Sequence, residues 1–235
     1  MSLGSILNDL REFDTALLAN TIGYIDPTPA QEYYMGGSIQ SVTPSIGPTV
    51  GVAATCELDT STPEGLADLD LYVQQIDEIS AITDPVVWVV KTVGSRPDHE
   101  CVMGDGMAKE LYSVGCIAVV TDGGVRDVNG MLSVPFAAYC KGKTIHHCAL
   151  RVRSINQPVE VGGITVQPGD VIHANAEGVI KIPKACLAEL SEAAKRMYAF
   201  EREAHQVLRR TDLTAPSRRE NVLELLTKYG FAKSH

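Results

Sequence analysis

The 235-residue chain has no apolar run approaching the roughly 18 residues that a membrane-spanning helix requires. Its opening stretch, through Leu18, has no basic region leading into an apolar one, so it does not read as a secretory signal. None of its six cysteines (Cys56, Cys101, Cys116, Cys140, Cys148, Cys186) forms a C-x-x-C pair, and the chain is too long for a disulfide-stapled mini-domain. Reduced thiols in a cytoplasmic compartment are the expectation. Positive charge is scarce: 20 Lys and Arg stand against 29 Asp and Glu, a net charge of −9. That balance disfavours non-specific contact with nucleic acid or anionic membrane, while leaving room for an anionic substrate in a locally basic site. Internal repeats and low-complexity segments are also absent. What is present is ordinary globular composition, 45% hydrophobic and 21% charged, which excludes a disordered chain, a collagen-like repeat and a coiled coil.

Periodicity predicts the elements. Residues 5–20 carry apolar positions at helical spacing, and 21–49 are turns and loop with at most one short strand. A strand is expected over Thr49–Leu58, then a helix over Pro63–Ser80 with Leu66, Leu69, Val73 and Ile76 on one side. PVVWVVKTVG (85–94) reads as a strand buried on both faces. Gly104-Asp105-Gly106 opens a helix to about Ser113, and CIAVVTDGG is a second buried strand. Strand, helix, strand makes a βαβ core over 85–127, with a parallel pairing. Short strand-like runs separated by turn signals predict a β-rich layer over 134–182. A long helix is expected from Pro183 to about Arg209. Thr214-Ala215-Pro216-Ser217 should break it, and a last helix should run from Glu220 to Tyr229 and end at Gly230. The organisation expected is one α/β domain over 1–182 and a helical extension over 183–235.

The chemistry concentrates in two segments. In Thr121-Asp122-Gly123-Gly124-Val125-Arg126-Asp127, a buried strand delivers two glycines, which permit close approach of a ligand, and then an Arg and an Asp. Arg126 offers a planar fork for a carboxylate. Asp127 is a hard oxygen ligand for Mg²⁺ or Mn²⁺. An Arg–Asp pair that merely closes a turn is the plain alternative. In the first segment, the backbone N–H groups around Gly104, Gly106, Met107 and Ala108 sit at a helix start, which favours an anion, so these four are candidate substrate-binding positions. Asp105 reads as a helix cap or as a second metal ligand. In a βαβ unit the helix start and the end of the next strand share a rim, so Asp105 and Asp127 can converge on one cation. His146-His147-Cys148 has ligand-type atoms, but neighbours on a strand face opposite ways. Asp98-His99-Glu100 lies near the helix start as pocket wall or plain loop, and Lys181 and Lys184 read as exposed.

GDGMAKELYSVGCIAVVTDGGVRD resembles the signature of the RraA-like proteins, which include the 4-hydroxy-4-methyl-2-oxoglutarate aldolases. The likeness continues through VPFAAYCKGK and PVEVGGITVQPGDVIHANAEGVIKIP and spans about residues 50–210. Asn175-Ala176-Glu177-Gly178 departs from the Asp-x-Asp-Gly of many members. The resemblance implies a swivelling β/β/α fold, here with a C-terminal helical arm, and a homotrimer or hexamer with active sites between subunits. It implies a divalent metal, Mg²⁺ or Mn²⁺, held at Asp127 and Asp105 beside Arg126. It also implies a further acid from a neighbour's C-terminal helix: Glu201, with Glu203 second. Metal and Arg126 together would stabilise the enolate shared by retro-aldol cleavage and oxaloacetate decarboxylation of a 2-oxo acid. The alternative is a non-catalytic relative of the family's namesake, which inhibits a ribonuclease by protein contact. The roughly 50 residues beyond Pro183, with acids where the enzyme members have one, favour the lyase. No glycine-rich cofactor loop supports a methyltransferase.

Overall fold

A computed structural model describes residues 2–63, 66–147 and 149–232. In chain order the elements are α1 (Leu3–Leu10), α2 (Thr15–Ile25), β1 (Gln40–Ser41), β2 (Thr49–Asp59), α3 (Asp70–Ser80), β3 (Val86–Thr92), β4 (Cys101–Met103), α4 (Asp105–Ser113), β5 (Cys116–Thr121) and β6 (Gly124–Val125). They continue with α5 (Val128–Met131), β7 (Ala137–Cys140), β8 (Gly142–Lys143), β9 (Arg151–Ile155), β10 (Val159–Val161), β11 (Ile164–Val166), β12 (Val171–Asn175), β13 (Gly178–Ile182), α6 (Leu190–Leu208) and α7 (Ala215–Lys228).

The main sheet runs β1-β7-β5-β3-β2-β12-β13. Its centre, β2, β3, β5 and β7, is parallel, as the βαβ reading requires, and its flanks are antiparallel. The long β2 serves two partners on one edge: Thr49–Val52 pair with β12 and Cys56–Asp59 with β9. Alternation along the central strands supplies two cores. Val52, Ala54, Cys56, Leu58, Val86, Trp88 and Val90 face α3, α4 and α5. Ala53, Val87, Val89, Ala118 and Val120 face the β10–β11 hairpin and the loop carrying Met35 and Ile39. The strands of 134–182 form no layer of their own. Most join the main sheet, β8 joins a three-stranded sheet with β4 and β6, and only β10–β11 stands apart.

Four helical segments differ from their sequence reading. The one expected over 5–20 is two, because Phe13 N–H closes a turn on Leu10 O and Asp14 enters α2 from an extended backbone (φ −71°, ψ 148°). Helix α3 begins at Asp70, and its buried face is Tyr72, Gln75 and Ile79; Leu66, Leu69 and Val73 are exposed. Polar Gln75 concealed this phase. Its Nε2 donates to Thr55 O and its Oε1 accepts from the Trp88 indole, both at 2.8 Å. Trp88 heads the fully buried side chains by volume, and this bond satisfies its one polar atom. Residues 184–189 form turns, so α6 starts at Leu190, packing Leu190 and Ala194 against Leu7, Leu10, Leu18 and Ile22 of α1 and α2. The segment expected to break the arm opens α7 instead: Thr214 Oγ1 accepts from Ser217 N–H (3.3 Å), and Pro216 suits a first turn. Gly230 (φ 78°) follows the helix as expected.

His173 on β12 is fully buried. Its Nε2–H donates to Leu10 O (3.2 Å) and its Nδ1 accepts from the Thr15 hydroxyl (2.9 Å), which ties the α1–α2 turn to the sheet. Burial pushes its pKa down from 6.5 to about 4. Between those values the unfolded chain binds the extra proton, so stability falls as pH drops below about 6.5 and the loss is complete below about 4. The contribution is about 3 kcal/mol. Urea unfolding at pH 7 and at pH 4.5 should show this slope in the wild type and a shallower one in His173→Gln; an identical slope in both refutes the assignment.

Candidate functional site

Three short parallel strands assemble the site. Strand β6 pairs with β4 (Cys101↔Gly124, Met103↔Val125) and with β8 (Gly124↔Gly142, Val125↔Lys143), so their carboxyl ends share one rim. From that rim β4 runs into Gly104 and α4, β6 into Arg126-Asp127 and α5, and β8 into the loop from Thr144 to His147. The sequence reading assigned this rim to β3 and β5. The strands that deliver it are too short to show a period.

Arg126 Nε lies 3.4 Å from Asp127 Oδ2, and Arg126 N–H donates to Met103 O at 3.0 Å. Asp127 adopts the left-handed conformation (φ 54°, ψ 38°), which an Asp tolerates better than most residues. Gly104 lies directly against the pair: a β-carbon there would sit 2.9 Å from Asp127 Oδ2 and 3.1 Å from Arg126 Nε. Gly130 makes similar room for Asp105, whose Oδ2 would be 2.6 Å from a β-carbon at that position. Asp105 is the first residue of α4, with Gly104 in the cap position, so it is not the cap. Its Oδ2 is 2.6 Å from Lys109 Nζ. That hydrogen bond, with the Lys109 charge, the Gly106 backbone and Arg126, holds the Asp105 carboxyl below the usual carboxylate range.

Two cavities flank the Arg126–Asp127 pair. One, about 230 Å³, is lined by Gly104, Gly106, Met107, Arg126, His146 and His147 among others. The other, about 520 Å³, is lined by Asp105, Asp127, Val128, Asn129, Gly130 and Lys143. Ala108 reaches neither, because its N–H donates to Gly104 O (3.2 Å) and its side chain is fully buried. Gly123 and Gly124 do not face a ligand; side chains of Thr92 and Val102 fill the space beside the first, and Thr144 the space beside the second. Among the described residues no group of three or more His, Cys, Asp or Glu forms a metal cage. Two carboxylates and an amide in one cavity suit instead a hard cation that keeps several waters, as Mg²⁺ does.

The remaining candidates fall elsewhere. Glu201 Oε1 accepts from Asn20 Nδ2 (3.1 Å). Glu203 accepts from Lys228 and Tyr229, both at 2.7 Å, in the cleft between α6 and α7. Neither lines the Arg126 cavity of its own chain. His146 and His147 both line that cavity, since they occupy a loop rather than a strand; Cys148 lies outside the described residues. Asp98 and His99 line an adjoining cavity, and Glu100 is fully buried. Lys181 bonds Thr165 O and Lys184 pairs with Asp170. Cys56, Cys116, Cys140 and Cys186 are buried and unbridged. Burial pushes the Cys56, Cys116 and Cys186 thiols up to about 12, far from thiolate chemistry. Lys143 went unseen in the sequence, and no spacing rule would have flagged it.

The model of the RraA-like family, described as Aldolase/RraA, matches residues 26–181. The chain belongs to the RraA-like family. Over 95 residues it is 36% identical to a Halalkalibacterium halodurans protein provisionally named 4-hydroxy-4-methyl-2-oxoglutarate aldolase, covering 40% of this chain and 44% of that one. The match thus spans under half the length of that relative. Among solved structures, a TM-score of 0.72 relates the chain to one described as novel cellulases from microbes associated with the gut ecosystem (18% identity, 86% and 88% of the two chains). A TM-score of 0.68 relates it to Streptomyces coelicolor RraAS2, described as an unusual member of the RNase ES inhibitor RraA protein family (20% identity, 87% and 97% coverage). These likenesses show the fold: the expected swivelling α/β architecture, its sheet nearly closed, with C-terminal helices. The RraA-like family holds both aldolase-named proteins and ribonuclease inhibitors. No helix among the described residues is long and apolar enough to cross a membrane.

Proposed function

We propose that this RraA-like chain is a divalent-metal-dependent lyase that cleaves a C–C bond of a 2-oxo acid to give pyruvate, of the 4-hydroxy-4-methyl-2-oxoglutarate aldolase and oxaloacetate decarboxylase type. The observation that carries the reading is the pair of cavities: the Arg126 guanidinium and the start of α4 line one, Asp105 and Asp127 the other, across a single Arg–Asp pair. The aldolase-named relative supports it. Asp105 and Asp127 would hold Mg²⁺ or Mn²⁺, which when bound supplies a Lewis acid beside the substrate's carboxylate and 2-oxo oxygen. The N–H groups of Gly106 and Met107, at the positive end of α4, receive the carboxylate. Arg126 donates to the oxygen that gains charge as the bond to C3 breaks. The same oxygen gains the same charge in aldol cleavage and in decarboxylation, so one site serves both. Asp105, ionised well below neutral pH, orients a water that takes the C4 hydroxyl proton as the C3–C4 bond breaks in aldol cleavage and returns a proton to C3; decarboxylation needs only the second transfer. A homotrimer or hexamer completes the reading: it would cover the exposed Leu66, Leu69 and Val73 and give Glu201 or Glu203 a route to another copy's Arg126.

Pyruvate release from oxaloacetate and from a panel of 4-hydroxy-2-oxo acids should vanish in EDTA and return with Mg²⁺ or Mn²⁺. Full activity after EDTA treatment and dialysis rules the proposal out, and ribonuclease inhibition without pyruvate release establishes the alternative. Lys109 supplies a test that needs no turnover. Its ammonium competes with the cation for Asp105, so Lys109→Met should tighten Mn²⁺ binding by about two- to fivefold in calorimetry, the scale of an exposed ion pair. Unchanged affinity would remove Asp105 from the ligand set.

A further inference from the structure

A third cavity, about 370 Å³, adjoins the Arg126 cavity, because His146 lines both. Its other walls are Ser61, Arg96, Asp98, His99, Thr144 and Ile145. The floor is fixed from below by Glu100, which is fully buried. Ser61 Oγ donates to Glu100 Oε1 and accepts from Arg96 N–H, both at 2.9 Å. Thr144 Oγ1 donates to Glu100 O at 2.9 Å, and the other Glu100 carboxylate oxygen accepts from Thr60 N–H at 2.8 Å. His99 N–H donates to Arg96 O (2.9 Å) in a tight turn that includes Pro97. The backbone that carries the rim is therefore anchored.

The rim side chains are not. Arg96, Asp98, His99 and His146 make no side-chain hydrogen bond or ion pair to any described residue. Their chemistry is mixed. Arg96 only donates, Asp98 only accepts, and each imidazole does both. A hydrocarbon tail would satisfy none of them. A tail ending in a carboxylate would meet Arg96 but also the like charge of Asp98. A run of hydroxyls, each a donor and an acceptor, matches the set.

We propose that this cavity is a tail subsite that receives a polyhydroxylated chain extending from the Arg126 cavity, so that the substrate is a sugar-acid-like 2-oxo acid. The assignment of the head group rests on the lyase reading; the subsite itself is tested without turnover. Calorimetry with gluconate, adipate and hexanoate, in buffer containing Mg²⁺, compares hydroxylated, carboxylate and hydrocarbon tails. Gluconate should bind about tenfold more tightly than either of the others, the worth of about two neutral hydrogen bonds. The Asp98→Ala/His99→Ala variant should lose that advantage while hexanoate affinity stays as it was. Equal binding of the three acids, a preference for adipate or hexanoate, or an advantage that survives the double substitution overturns the subsite. Pyruvate assays separate the two claims. A gluconate advantage with no pyruvate from any 2-oxo acid sinks the lyase reading and upholds the subsite. Pyruvate release from 4-hydroxy-2-oxo acids whose chain beyond C4 is plain alkyl, at the rate of those whose chain beyond C4 is hydroxylated, does the reverse.

Discussion

Replacing Arg126 by Lys or Ala should lower kcat by roughly 10² to 10³, about 3–4 kcal/mol, while leaving the fold intact. The catalytic part follows from where charge develops. The 2-oxo oxygen becomes more negative as the bond to C3 breaks, so a guanidinium aimed at it binds the transition state more strongly than the ground state. Lys keeps the charge but loses the planar fork, and is expected to behave much like Ala. The stability part follows from exposure. The Arg126 and Asp127 side chains are 31% and 48% exposed, and an ion pair so open to water contributes only about 0–1 kcal/mol. Melting temperature and turnover measured on the same variants separate the two roles. A residue that only closes the turn before α5 would lower the melting temperature and leave kcat near normal, which would end the catalytic assignment.

The legible part of this molecule is the part whose sequence carries a period or a signature. Strands β2, β3 and β5 announce themselves by largely apolar, β-branched runs, because both faces of the central sheet are covered; the charged residues Glu57 and Asp59 of β2 and Lys91 of β3 come only towards the strand ends. Arg126 and Asp127 stand out because they follow a buried strand and two glycines, although closing a turn is an equally plain reading of the pair. The rim itself is hidden: β4, β6 and β8 hold three, two and two residues, below any length at which alternation can be read. Gln75 misled the reading of α3 because its burial is licensed by Trp88 and Thr55, which are distant partners in the chain. On a strand His146 and His147 would face opposite ways; in the loop that carries them that constraint lapses, and both line one cavity. Glu100 read as loop or pocket wall, and is instead the buried anchor beneath the adjoining cavity. In each case the deciding contact is long-range, and a local pattern does not encode it.

The frame behind the rim depends on a buried charge, and Asp59→Ala should cost about 3–5 kcal/mol in urea unfolding at pH 7. Asp59, at the end of β2, accepts from Arg151 Nη2 (3.0 Å) and Nε (3.3 Å), from Arg153 Nη2 (2.7 Å) and from Thr62 N–H (3.0 Å). Its side chain is 3% exposed and that of Arg151 7%. Burial opposes the Asp59 charge, but hydrogen bonds from Arg151, Arg153 and Thr62 outweigh it and hold the carboxyl well below its ordinary 3.8. A depressed folded-state pKa stabilises above the unfolded value and loses that contribution as pH falls through the folded one, so this pair yields only in strong acid, after His173 has already been protonated. Removing the carboxylate leaves the Arg151 guanidinium buried with Thr62 O as its remaining partner among the described residues (2.7 Å). The penalty then belongs to the stranded cation more than to the lost attraction. A paired substitution decides this: Asp59→Leu with Arg151→Met should recover most of the stability lost by Asp59→Ala, since an apolar pair of similar volume has no charge to desolvate. Recovery of stability need not restore turnover. Residues 59–62 also hold Thr60 and Ser61 against Glu100, whose carbonyl accepts from Gly124 N–H (3.0 Å) at the start of β6, so a reshaped Asp59 corner should still displace Arg126 and depress kcat in the stabilised double variant.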